Sequence, residues 1–140
     1  MDPTNPVVQL CGAGMEAEGE GRRTDAAALF MQAWDAAQDD YEACIAAHYV
    51  ARHQPSDQQT LHWNQVAVDR AERVADGRAD LFFPSLYLNL GQSHETVGDP
   101  ILARSCYEQA QSYLAALPDD GYSNWVRAGV ARALGRTGNK

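Results

Sequence analysis

Lysine is almost absent from this sequence of 140 residues, in which Lys140 stands alone against ten arginines and nineteen acidic residues. The formal net charge is −8. A nucleic-acid-binding protein needs a basic surface that displaces counterions from phosphates, and an anionic membrane surface attracts basic segments in the same way. We therefore expect neither nucleic acid nor a membrane as a partner.

Cysteine is scarce, and long apolar runs are missing. The three cysteines, Cys11, Cys44 and Cys106, are odd in number, far apart and form no CxxC motif, which predicts buried free thiols in a reducing compartment. No stretch approaches the roughly 20 apolar residues of a membrane span. Residues 1–6 show neither the basic start nor the apolar run of a secretory signal. A cytoplasmic location is the expectation.

Patterns typical of catalytic, cofactor and metal sites are missing as well. The Gly-x-Gly pairs at 12–14 and 19–21 follow no predicted strand, which argues against a dinucleotide or phosphate loop. The four histidines show no HExxH spacing, and no GxSxG sequence occurs. The carboxylates are scattered over predicted outer faces and loops. We expect no enzyme, no metal and no cofactor.

A repeated helical pattern is what the sequence does contain. Its clearest occurrence has helically spaced residues at Tyr87, Leu90, Gly91, His94, Ala103, Tyr107 and Ala110. Offsets of three, four and seven place these residues on one face of each of two helices. Between them, Gly98-Asp99-Pro100 predicts a helix end, a cap and a helix start. Gly91 and Ala103 predict a close approach of the two helices, with Tyr107 filling the space beside them.

The same offsets recur elsewhere in the chain. One further set is Leu10, Ala13, Gly14, Ala17, Gly21, Ala26, Phe30 and Ala33, and another begins at Trp125, Ala128 and Gly129. The middle of the chain matches less closely, with small or apolar residues at Cys44, Ala47, His48 and Ala51. There, Ser56 followed by Gln59 predicts a capping box at the start of the next helix.

These stretches resemble the tetratricopeptide repeat, whose pattern is a bulky residue, Leu-Gly, an aromatic, then Ala, an aromatic and Ala over 34 residues. His94 departs from the aromatic of that pattern, and Ala115 stands where proline is expected. The resemblance implies an all-α solenoid of about 3.5 helical hairpins, with seven helices in a right-handed superhelix. It implies a single domain, 1–140, with repeats at about 7–40, 41–83 and 84–121 and a capping helix at 122–135.

In the family that the chain resembles, the first helices of the repeats line a concave surface that usually binds a peptide. The resemblance therefore implies a non-enzymatic adaptor or scaffold that binds a protein or peptide segment. Helix phase assigns this surface to Met15, Ile45, Tyr49, Arg52, His53, Leu88, Asn89 and Gln92, and makes Cys11 accessible on it. The lysine clamp of the chaperone-tail subfamily is excluded, because no lysine precedes Lys140. Arg52 has two interpretations: it holds a ligand carboxylate together with Asn89, or it pairs with Glu18 or Glu95 and binds nothing.

Two other functions remain open at this point. One is a small-molecule binder with an apolar pocket formed by Met15, Ile45, Tyr49 and Leu88. The other is a self-assembling structural module. For the last helix, the pattern predicts that Trp125, Ala128, Gly129 and Arg132 pack inwards. That arrangement leaves Val126, Val130 and Leu134 as an uncovered apolar strip and predicts a homodimer through this helix.

Overall fold

The computed structural model describes residues 2–138, which form seven α-helices and no β-strand. The helices are α1 (Pro6–Gly19), α2 (Arg23–Ala36), α3 (Asp40–Val50), α4 (Asp57–Glu72), α5 (Phe83–Thr96), α6 (Pro100–Ser112) and α7 (Gly121–Thr137). A short 3-10 turn, Leu114–Ala116, lies between α6 and α7. The all-helical fold with seven helices is confirmed. Met1, Asn139 and Lys140, at the ends of the predicted 1–140 domain, lie outside the described residues. Within residues 2–138, no helix has the length and apolar character needed to cross a bilayer.

Polar side chains cap the starts of most of these helices. Asp99 accepts a hydrogen bond from the backbone N–H of Leu102 at 3.0 Å, with Pro100 at the first helical position, as the sequence predicts. Ser56 accepts one from the N–H of Gln59 at 3.2 Å and donates its hydroxyl to the Gln59 side chain at 2.9 Å. Caps of this kind stabilise a helix by about 1 kcal/mol each, so they help to set where each hairpin turns.

The helices fall into two compact units. Unit 1 is Met1–Val74 and contains α1–α4, and unit 2 is Ala75–Lys140 and contains α5–α7. In unit 1, consecutive helices pack against each other and α1 also contacts α3. In unit 2, α5 packs against α6 and α6 against α7, and α5 also contacts α7. Each unit therefore contains a helical hairpin that is covered by the helix that follows it.

The hairpins α1–α2 and α5–α6 correspond position by position at a separation of 77 residues. The corresponding buried residues are Gly14 and Gly91, Ala26 and Ala103, Phe30 and Tyr107, and Ala33 and Ala110. The turn between the two helices also corresponds, since Gly21 and Gly98 have φ angles of 78° and 93°. Glycine adopts this left-handed conformation without the strain that a side chain introduces. The repeat in the sequence is thus a repeat in the structure.

Each hairpin packs an aromatic ring of its second helix against a glycine of its first. A Cβ atom placed on Gly14 would lie 2.3 Å from the Phe30 ring, and one placed on Gly91 would lie 2.4 Å from the Tyr107 ring. These separations are far shorter than van der Waals contact, so no side chain fits at either glycine. The sequence predicted a close approach at Gly91, and the group that approaches is the ring of Tyr107.

The inward face of α7 differs from the expected one. Val126, Val130 and Ala133 are buried in a core with Leu88 and Tyr107. The apolar strip predicted for self-association is therefore wrongly placed, because Val126 and Val130 are each 1% exposed and the half-buried Leu134 packs against the same core.

The prediction for Trp125 is also wrong, since it was expected to pack inwards and is 64% exposed. The face that contains Trp125 also contains the charged Arg132, and an unpaired charge is costly to bury. Val126, Val130 and Ala133 have the same helical spacing, and none of them carries a charge. Self-association of the chain stays a prediction, but the buried Val126 and Val130 do not form its interface.

Replacing Gly91 by alanine should destabilise the protein, because the added methyl group overlaps the ring of Tyr107. We expect the free energy of unfolding to fall by about 1–3 kcal/mol in urea denaturation. Gly12→Ala is the matched control, since nothing lies within 4 Å of a Cβ atom placed on Gly12. There the better helix propensity of alanine should raise the stability by about 0.5–1 kcal/mol. A neutral Gly91→Ala would contradict the contact between ring and glycine.

Val126→Glu and Trp125→Glu should differ sharply, although the two residues are neighbours. The first places a carboxylate without a partner in the core of unit 2 and should cost several kcal/mol, on the order of 3–5. The second changes an exposed position and should stay within about 0.5 kcal/mol of wild type. Thermal unfolding followed by circular dichroism measures both. Equal effects would contradict the orientation of α7.

Candidate binding site

The residues predicted to bind a partner differ in exposure. Ile45 and Leu88 are 6% and 3% exposed, so they present no surface to a ligand and their assignment is corrected. Cys11, expected to be accessible, is 2% exposed. All three occupy the same position in their helices, and each of these helices packs against more than one neighbour, which buries that position as well as the predicted seam. The predicted residues that retain exposed surface are Met15, Tyr49, Arg52 and His53 in unit 1, and Asn89 and Gln92 in unit 2.

In unit 1, the end of α3 reaches the last turn of α1 through a polar cluster. Arg52 donates from Nη2 to Oε1 of Glu18 at 2.9 Å and from Nε to Oε2 at 3.1 Å. Nε2 of His53 lies 2.6 Å from Oε2 of Glu18. An ionised carboxylate only accepts hydrogen bonds, so Nε2 carries the hydrogen in this contact. Of the two interpretations of Arg52, the structure supports pairing with Glu18.

Aromatic rings pack against this polar cluster. The ring of Phe30 stacks on Tyr49 at 5.3 Å and on His53 at 5.9 Å between ring centres. The guanidinium of Arg52 lies 5.7 Å from the centre of the Tyr49 ring, within the range of a cation–π contact. Nδ1 of His53 is buried and has no hydrogen-bond partner among residues 2–138. The cluster is therefore anchored on the ring that packs against Gly14.

An open depression of about 480 Å³ lies over this cluster and is lined by Glu18, Arg23, Arg52 and His53. Glu18 is largely covered, with 16% of its side chain exposed, whereas Arg52 is 47% exposed. The side chain of Arg23 is exposed and forms no hydrogen bond or ion pair with any residue that the structure describes. The depression thus presents one uncommitted guanidinium and part of a second.

The sequence pattern did not identify Arg23 as a binding residue, although the glycine that precedes it by two positions indicates where its side chain lies. Gly21 ends α1 in the left-handed conformation, and the N–H of Arg22 bonds the carbonyl of Ala17 at 2.8 Å. This is the geometry of a glycine-terminated helix end, which reverses the chain direction. A residue two positions after that glycine therefore starts α2 beside the last turn of α1.

Unit 2 contains a carboxylate that corresponds to Glu18 but no arginine that corresponds to Arg23. Glu95, 77 positions after Glu18, accepts from Nη2 of Arg136 at 2.8 Å and from the hydroxyl of Tyr107. Phe30 has no hydroxyl, and in unit 1 the imidazole of His53 donates in its place. The position of Arg23 is occupied in unit 2 by Pro100. The ion pair is therefore common to both units, whereas an arginine at the start of the second helix is found in unit 1 and not in unit 2.

Two of the three thiols, those of Cys11 and Cys106, are held in their protonated form. Burial raises the pKa of Cys11 to about 12 and that of Cys106 to about 11. Burial, with the nearby charge of Arg52, lowers the pKa of His48 to about 4, so that imidazole is neutral near pH 7. In the part of the chain that the structure describes, no group of three His, Cys, Asp or Glu side chains is arranged to hold a metal.

No family model, no curated protein and no solved structure matches this chain. The resemblance to the tetratricopeptide repeat therefore rests on the residues of the chain itself, and the function that it implies is a matter for proposal.

Glu95→Gln should make the stability of the protein less dependent on acid pH. Hydrogen bonds from Arg136 and from Tyr107 hold the pKa of Glu95 below its ordinary value of 4.5. Since the pKa is lower in the folded state, the ionised carboxylate stabilises the fold above about pH 4.5, and this contribution is lost as the pH falls through the folded-state value. The difference in stability between wild type and Glu95→Gln should therefore be largest near pH 7 and shrink towards pH 3.

Urea denaturation at a series of pH values measures this difference. Glu108→Gln is the control, because it removes the same charge from an exposed side chain in the same unit. A surface ion pair contributes little, so Glu108→Gln should stay close to wild type throughout. An identical pH dependence for the two variants would contradict the role of Glu95.

Proposed function

We propose that this chain is a non-enzymatic module of the tetratricopeptide type that binds a protein or peptide segment, and that unit 1 carries the binding surface. The observation that carries the proposal is the open depression over Glu18, Arg23, Arg52 and His53. It adjoins Tyr49, whose ring supports Arg52. We place the module in the cytoplasm, in keeping with its unpaired thiols.

The side chains around the depression are of the types that anchor protein partners. Arginine and tyrosine are enriched among the residues that dominate binding energy, and methionine is enriched at interfaces. Met15 is 41% exposed on α1 and lies three residues before Glu18, which places the two side chains on the same face of the helix. The surface therefore combines a flexible apolar side chain, a partly exposed aromatic ring and two guanidinium groups.

A protein segment fits this surface better than an apolar small molecule does. The pocket considered for such a molecule needed Ile45 and Leu88, and both are buried. What remains exposed in unit 1 is shallow and mixed in polarity, which suits an extended segment held by several modest contacts. The net charge of −8 also favours a protein partner over nucleic acid or an anionic membrane.

A displayed library of random dodecamer peptides tests this proposal. Wild-type protein should enrich peptides that share a consensus, and the variant Met15→Ala/Arg52→Gln should bind the enriched clones at least about tenfold more weakly. The matched control is Gln92→Ala/Arg136→Gln in unit 2. Gln92 corresponds to Met15, and Arg136 pairs with Glu95 as Arg52 pairs with Glu18. Each double variant therefore breaks one ion pair between an arginine and a helix carboxylate.

The control variant should bind the selected clones as wild type does, with both variants showing similar thermal midpoints. Enrichment of no consensus by the wild type would overturn the proposal. So would clones that bind equally well to Met15→Ala/Arg52→Gln, because the binding surface would then lie away from the depression.

A further inference from the structure

We infer that the segment bound by unit 1 carries an aspartate or glutamate whose carboxylate lies between Arg23 and Nη1 of Arg52. This inference rests on the proposed function and adds the chemistry of the residue that is recognised. It follows from how the charged groups around the depression are paired within unit 1 and which of them are left over.

Arg23 is uncommitted in surroundings rich in carboxylates. Residues 1–74 contain twelve Asp and Glu but only five Arg, so partners for an arginine are abundant. Arg22 pairs with both Glu20 and Asp25, at 2.6 and 2.9 Å. Arg23, the next residue, forms no ion pair with any described residue. Arg23 instead lines the depression.

Arg52 supplies the second half of the site. It uses Nε and Nη2 to hold Glu18, and its Nη1 makes no hydrogen bond within residues 2–138. The planar guanidinium is thereby fixed in orientation while one nitrogen stays available. A guanidinium that is already oriented loses less side-chain freedom when it binds a further carboxylate.

The carboxylate already present does not block such a ligand. Both oxygens of Glu18 accept hydrogen bonds, from Arg52 and from His53, and little of its side chain is exposed. Two arginines and one glutamate leave the lining with a formal charge of +1 when His53 is neutral. A single carboxylate matches that charge, whereas a phosphate dianion exceeds it and meets stronger repulsion from the acidic unit.

The shape of the depression favours a side chain over a chain terminus. The depression is open rather than enclosed, so a segment can cross it and continue on both sides. Unit 2 provides an internal contrast, because it has the ion pair of Glu95 and Arg136 but a proline in place of Arg23. We therefore expect acid recognition by unit 1 alone.

Peptides selected from the random dodecamer library on wild-type protein test this inference when they are synthesised with amidated C-termini. They should share an Asp or Glu at one position, and its replacement by the matching amide should weaken binding about tenfold or more. Raising the salt from about 50 to about 500 mM should weaken binding of the acidic peptide far more than that of its amide counterpart, since surface charge interactions are screened.

Arg23→Glu is the decisive variant. Its affinity for the acidic peptide should be lower than that of wild type by about tenfold or more. It should bind a version of the peptide with lysine at the acidic position more tightly than wild type does. Arg73→Glu is the matched control, because it makes the same change of charge in unit 1 at an exposed residue outside the depression. It should bind the acidic peptide within about twofold of wild type.

The outcomes separate the two proposals. Selected peptides that need Met15 and Arg52 but share no acidic residue, or that bind Arg23→Glu unchanged, would overturn this inference and leave the proposed function standing. Acidic peptides that respond equally to Arg23→Glu and Arg73→Glu would also overturn it, because net charge rather than the depression would then be recognised. If the wild type selects no consensus, both the proposed function and this inference are overturned.

Discussion

The contact between an aromatic ring and bare helix backbone is the constraint on which each unit of this protein depends. Phe30 and Tyr107 lie so close to Gly14 and Gly91 that a single additional methyl group overlaps the ring. The absence of a side chain at the glycine lets the ring fill the space between the two helices, and alanines on the second helix, such as Ala103, are then completely buried. The helix that follows covers the ring. Because close-packed interiors tolerate little change in volume, this one contact sets the spacing of three helices.

The identity of the ring also determines how a nearby carboxylate is satisfied. Tyr107 has a hydroxyl that donates to Glu95, and burial together with this carboxylate raises the pKa of Tyr107. Phe30 has none, and the donor to Glu18 is instead His53, whose ring stacks on Phe30. In both units, the carboxylate four residues after the glycine is held by an arginine and one further donor. The core and the candidate binding site are thereby connected through a single aromatic position.

The candidate site arises where the two units differ. Unit 1 has Arg23 at the start of its second helix, and unit 2 has Pro100 at the same place. Both residues are compatible with the first turn of a helix, so the hairpin forms in either case. The arginine adds a guanidinium to the surface without being needed for folding. A repeated scaffold with one position altered thus gives one copy a candidate binding surface that the other lacks.

The sequence by itself determined the helical hairpins, because glycine, proline and capping residues act locally and helical spacing identifies an inward face. Gly98, Asp99 and Gly91 were assigned their places from these rules alone. The tertiary structure decided how much of each helix is covered. Leu88 was assigned to an open surface and is buried because α5 contacts α7 as well as α6.

The orientation of α7 also depended on tertiary packing, since two faces of this helix have the same spacing and only one contains a charge. The pairing of Glu18 with Arg52 and His53 joins residues 34 and 35 positions apart. Which carboxylate neutralises which arginine, and which arginines are left unpaired, depends on distances between helices that no local pattern of residues specifies.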